Sequence, residues 1–131
     1  MRYLLDTHIL IWWFERNPRI SAEQEAVLQR ASGTSPLLVS DISFWEIATL
    51  FSLGRLKFNL PLNEWLDRAT AAPLVEKCRI TSDVARVVAE LPDTFHRDPA
   101  DRLLVSTARV LGAKLVTADR KIIDSGLVET V

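Results

Sequence analysis

Four carboxylates stand apart from the other acidic residues of this 131-residue chain: Asp6, Glu46, Asp101 and Asp119. Asp6 directly follows Tyr3-Leu4-Leu5, an apolar run that reads as a strand, and Asp119 comes just after Leu115-Val116-Thr117. Both positions are where a parallel sheet gathers its ligands, beyond the carboxyl ends of its strands. Glu46 is embedded in Ser43-Phe44-Trp45-Glu46-Ile47-Ala48, and an ionised carboxylate in so apolar a setting needs a partner, which a metal can supply. Asp101 falls in the first turn of a helix opening at Pro99. Carboxylate oxygens with water are the preferred ligands of Mg²⁺ and Mn²⁺, whereas zinc favours nitrogen and sulfur. Such ions activate water, and a pair of them clamps the attacking and leaving oxygens at phosphorus. The chemistry implied is phosphodiester hydrolysis.

Each acid also has a structural reading. Asp6 can cap the following helix. Asp98-Pro99 is a strong cap signature, with Asp at N-cap and Pro at the first helical position, so Asp98 reads as structural first. Asp101 then stands where a carboxylate favours the helix dipole. Asp119 can be a turn residue after a strand. Glu46 is the hardest to explain this way; an ion pair with an arginine such as Arg102 is its best structural account. The functional reading gains from four acids of distant segments meeting on one rim.

Other chemistries find little support. The glycines number four and are isolated, so no phosphate-cradling loop exists. His8 and His96 are the two histidines and read as a helix-start and a loop residue. With no G-x-S-x-G elbow, a Ser-His-Asp hydrolase is not indicated. His96-Arg97-Asp98 resembles a kinase catalytic loop without the other kinase elements. Trp12, Trp13, Trp45 and Trp65 read as core or interface rather than base-stacking platforms. The net charge of −1 disfavours a DNA-reading module, which needs a basic surface, more than a nuclease whose bound cations invert the local sign.

The scaffold is legible as alternating strands and helices. Strands are expected at Arg2–Leu5, Pro36–Ser40, Leu74–Ile80, Lys114–Thr117 and Leu127–Val131. Helices are expected at His8–Phe14, from the Ser21–Gln24 capping box to about Ala31 with Gly33 ending it, and from Ser40 or Asp41 to about Leu53, stopped by Gly54. Further helices read as Leu62–Ala71, Ser82 to about Leu91 and Asp98-Pro99 to Leu111, with a short turn at Arg120–Asp124. This is an α/β fold with a parallel sheet of about four to five short strands flanked by helices, as one domain over residues 1–131. Hydrophobic residues at 48% and charged residues at 25% suit a packed core. The lone Cys78 cannot form an internal disulfide and reads as a buried, inert thiol. Neither a signal peptide nor an apolar run of the ~20 residues a membrane span needs is visible, so a cytoplasmic protein is expected.

The motifs Leu4-Leu5-Asp6-Thr7-His8, Ser43-Phe44-Trp45-Glu46-Ile47-Ala48, His96-Arg97-Asp98-Pro99-Ala100-Asp101-Arg102-Leu103-Leu104 and Leu115-Val116-Thr117-Ala118-Asp119 resemble, in order, those of PIN-domain proteins. The nearest likeness is to VapC-type toxins of toxin–antitoxin pairs. Any one motif is weak; the ordered set is specific and spans nearly the whole chain. The resemblance implies a single PIN-like domain and a Mg²⁺- or Mn²⁺-dependent endoribonuclease restrained by a cognate antitoxin. By position Asp6, Glu46, Asp101 and Asp119 match the family acids, with Asp6 and Asp101 the main metal ligands. Asp98 is an extra acid that serves in place of Asp101 or beside it. Thr117 matches the small hydroxyl residue often near the last acid. Thr7, Arg55, Lys57, Arg97 and Arg102 are candidates for substrate contact, as is Thr117. The family likeness also implies a homodimer, with apolar material at Trp12, Trp13, Phe14, Phe44, Trp45, Phe51 and Leu56. The rivals are another metal-dependent phosphodiesterase, such as a DNA nuclease or a phosphatase, and a non-catalytic partner-binding module of the same fold.

Overall fold

Four short strands form the centre of the computed structural model, which describes residues 1–131. In chain order the elements are β1 (Tyr3–Leu5), α1 (Thr7–Phe14), α2 (Ala22–Gln29), β2 (Leu37–Ser40), α3 (Asp41–Ser52), α4 (Leu62–Ala69), β3 (Val75–Cys78), α5 (Ser82–Glu90), α6 (Pro99–Leu111), β4 (Lys114–Val116) and α7 (Arg120–Ser125). All strand pairs are parallel, in the order β3-β2-β1-β4. Leu4 stands opposite Leu38 on one side and Leu115 on the other.

The alternation of side chains along a strand splits the core in two. Leu4, Leu38 and Leu115 face Leu104, Val105, Ala108 and Ile122 of α6 and α7. Leu5, Leu37, Val39 and Val116 face Ile9, Val27, Ile47 and Trp65 of α1 to α4. Burial on both faces is why the central strands read as unbroken apolar runs. Edge strand β3 differs: Glu76 and Lys77 are exposed, and Glu76 pairs with Arg2 at 3.0 Å. Charges on an edge discourage pairing with another chain.

The strand order creates the site. The chain runs outward from β1 to β2 and β3, then returns to place β4 on the other flank of β1. The seam between β1 and β4 is therefore the topological switch point, where open parallel sheets hold their ligands. Asp6 follows β1 and Asp119 follows β4.

Several expected boundaries move. Gly33 does not end α2; the helix stops at Gln29 with Arg30 as its cap in ordinary helical conformation. Gly33 lies instead in a tight turn closed by Ser32 and Ser35. Leu127–Val131 is not a strand but a single parallel bridge, Leu115 to Thr130. Pairing there is limited to a few bonds, such as Val131 N to Leu115 O at 3.0 Å. Helix α4 ends at Ala69, where the Thr70 hydroxyl takes up the Leu66 carbonyl. Cys78 is half-buried rather than buried, and burial pushes its thiol pKa up, which keeps it protonated and inert. Of the tryptophans, Trp65 is core and donates to Glu15, whereas Trp45 is 58% exposed.

Candidate active site

Asp6 is buried at the end of β1, and two donors fix it there. Its Oδ1 accepts from Thr7 N at 2.7 Å, capping α1, and its Oδ2 accepts from the Thr117 hydroxyl at 2.6 Å. The Thr117 oxygen in turn accepts from Asp119 N at 3.0 Å. His8 Nε2 accepts from Ala118 N at 3.1 Å, and its Nδ1 lies 3.5 Å from Asp6 Oδ2. An Nε2 that accepts leaves the ring's proton on Nδ1, on the side of Asp6. These contacts lock the β1–α1 corner to the β4–α7 corner.

Asp101 is delivered by α6. Asp98 Oδ1 accepts from Ala100 N and Asp101 N, and Pro99 opens the helix. Asp101 itself is buried, with Oδ2 3.1 Å from His96 Nε2. Glu46 projects from α3 with its Oε1 buried and without a hydrogen-bond partner. The nearby Thr7 hydroxyl favours its charged form, yet it is engaged with Ser43 at 2.8 Å. Asp119 is half-buried, and its Oδ1 accepts from Lys121 N, capping α7.

The electrostatics record how closely these acids are gathered. Burial, then the negative charges of Asp6, Asp98, Asp119 and Glu46, pushes Asp101 up to about 8. Burial also raises Asp6, against the opposing pull of His8, Thr117 and Thr7. Glu46 is raised by burial as well, with Asp6 and Asp98 adding to it. No arginine neutralises the group: Arg102, the expected partner of Glu46, turns away. Such crowding is costly for apo protein and is relieved by a cation. The donor set of carboxylates, one buried oxygen left unpaired, and a histidine nitrogen fits a divalent ion.

Comparisons with known proteins give the family. A profile of the PIN domain matches residues 3–125. The chain belongs to the PIN domain family. It is 36% identical over 119 residues, 91% of its own length and 88% of the relative's, to "Ribonuclease VapC22" of Mycobacterium tuberculosis. The fold is similar to VapBC2 from Rickettsia felis, a structure bound to a promoter DNA fragment (TM-score 0.73, 18% identity, 100% of this chain and 98% of that one). It is also similar to FitAcB from Neisseria gonorrhoeae (TM-score 0.68, 19% identity, 98% and 95%). The resemblance drawn from the ordered motifs is borne out.

Within this PIN domain the expected substrate contacts separate. Arg102 is buried, and its guanidinium donates to the carbonyls of His96, Pro92 and Phe95 at 3.0 to 3.2 Å. It anchors the loop before α6. Thr7 and Thr117 are buried, with their hydroxyls bonded to Ser43 and to Asp6. Arg55 and Lys57 are exposed beyond α3, and Arg97 is exposed with a long contact to Asp93. Ser43, which holds Thr7, and His96, which reaches Asp101, were not singled out as site residues from the sequence. His96 had one visible signal, its place two residues before Asp98 in the third motif. No helix is long and apolar enough to cross a membrane.

Proposed function

We propose that this PIN domain is a Mg²⁺- or Mn²⁺-dependent endoribonuclease acting as the toxin of a toxin–antitoxin pair. The observation that carries the reading is the gathering of Asp6, Glu46, Asp98, Asp101 and Asp119 near the β1/β4 switch point with no lysine or arginine to neutralise them. A bound divalent cation would polarise the phosphodiester and lower the pKa of a water beside it. Asp6 and Asp101 would hold the cation, Asp6 because Thr7 and Thr117 fix both of its oxygens in direction. Asp119 and Glu46 would complete the set. Glu46 Oε1, without a hydrogen bond in the folded chain, would be free to accept a proton from the attacking water. Asp98 spends Oδ1 on the cap of α6, and its charge adds to the crowding at Asp101 and Glu46. Arg55, Lys57 and Arg97 would meet the phosphates flanking the cut.

RNA as substrate is supported by the ribonuclease relative. An antitoxin partner is supported by similar folds solved as toxin–antitoxin complexes, one from Klebsiella pneumoniae (TM-score 0.66, 18% identity). Exposed Trp45, Phe51 and Leu53, at 58%, 37% and 61%, give such a partner or a second copy apolar surface to cover. The test is purified chain, free of any partner, incubated with RNA and DNA of one sequence in Mg²⁺, Mn²⁺ or EDTA. RNA alone should be cut, and only with metal. Cleavage persisting in EDTA would overturn the metal mechanism; DNA cleavage with RNA intact would overturn the substrate.

A further inference from the structure

We propose that His96 is a nitrogen ligand of the cation alongside Asp101 and Asp119, and that it biases the site toward Mn²⁺ over Mg²⁺. The inference rests on the metal-dependent reading above. One ligand atom from each of His96, Asp101 and Asp119 lies within 4.8 Å of the others, the separation expected of donors that share one ion. The His96 Nε2 atom is buried and makes no hydrogen bond. It lies 3.1 Å from Asp101 Oδ2 without making a hydrogen bond. A histidine kept only to pair with Asp101 would make that bond. A buried nitrogen without a hydrogen bond is costly, and a cation shared with Asp101 would satisfy both groups.

The placement of His96 is built rather than incidental. Arg102, one residue after Asp101, donates to the carbonyls of Pro92, Phe95 and His96. The loop before α6 is therefore tied to the same turn that carries Asp101. The His96 ring also packs edge-on against Phe95, with centroids 4.7 Å apart at 85°. Anchoring of this kind around a ligand sets its orientation. The selectivity follows from ligand chemistry: Mg²⁺ is a hard ion that takes oxygen, whereas imidazole raises affinity for first-row transition ions.

The test is Mn²⁺ alone added to the purified full-length chain, followed by pulsed EPR, with Mg²⁺ competition to give the ratio of affinities. The wild type should show nitrogen coupling to Mn²⁺. In His96→Gln that coupling should vanish and the Mn²⁺ preference should fall roughly tenfold or more. His96→Asp, which supplies a charged oxygen donor, should bind cation with a lower Mn²⁺ preference than wild type, separating lost ligation from lost folding. Mn²⁺ bound without nitrogen coupling, at an affinity unchanged in His96→Gln, would overturn the His96 assignment and leave the carboxylate site standing. No Mn²⁺ binding by the wild type would overturn both.

Discussion

Thr117 donates its hydroxyl proton to Asp6 Oδ2 at 2.6 Å, across the seam between β1 and β4. The Thr117 hydroxyl oxygen in turn accepts from Asp119 N at 3.0 Å. One buried hydroxyl thus sets the direction of the first acid and the start of the segment bearing the last. Thr117→Val keeps the shape and deletes the bond. It should cost about 1–3 kcal/mol in denaturant unfolding, because Asp6 loses a partner it cannot replace. It should also weaken metal binding by roughly 10–100-fold in a calorimetric titration. Thr117→Ser should recover most of both. Unchanged metal affinity in Thr117→Val would show that Thr117 does not position Asp6.

Asp101 gives a pH prediction for metal-free protein. Its pKa rises to about 8 on folding, so the folded state holds a proton that the unfolded chain releases near pH ~3.9. The resulting contribution to stability is full below about pH 4 and is lost as pH rises toward about 8. Asp101→Asn carries no such proton. The stability of wild type relative to Asp101→Asn, followed by thermal melts in EDTA, should therefore fall between pH 4 and 8. Adding Mn²⁺ at pH 8 should raise the wild-type melting temperature and do little for the variant. A wild-type advantage that grows with pH in EDTA would contradict the assignment.

Asp98 and Asp101 are separable by experiment. Asp98 Oδ1 caps α6 through two backbone N–H groups, so Asp98→Ala should cost about 1 kcal/mol. Asp98→Asn keeps a good cap and should keep both stability and RNA cleavage. A folded Asp98→Asn chain that no longer cleaves would make Asp98 a metal ligand in its own right.

Arg102 should behave as a structural residue. Its three carbonyl partners lie in the loop before α6, and Arg102→Lys cannot reproduce a planar fork of donors. The variant should lose roughly 2–4 kcal/mol of stability. Below its melting transition, its KM for RNA should stay close to wild type. A raised KM at unchanged stability would show a phosphate-contact role instead.

The central strands were readable because burial on both faces demands apolar runs, as in Leu37-Leu38-Val39. Helix starts were readable from local chemistry: the Ser21–Gln24 capping box and Asp98-Pro99 both form as expected. Gly54 and Gly112, both at positive φ, stop α3 and α6. Gly33 misled because its turn is set by Ser32 and Ser35, not by the helix before it. Leu127–Val131 has the composition of a strand, yet it joins β4 through one bridge. Within the site, Asp6 and Asp119 were legible from strand ends. Arg102 was not, since nothing local says that an arginine inside α6 folds back on the preceding loop. His96 was hidden with it, because its approach to Asp101 depends on that anchor.

The most direct test of the carboxylate centre is single-turnover cleavage of one RNA across a Mg²⁺ titration. It compares wild type with Asp6→Asn and Asp101→Asn, each confirmed folded by circular dichroism. Both variants should cleave roughly 100-fold or more slowly at every Mg²⁺ concentration. Cleavage at the wild-type rate by either folded variant would contradict the account.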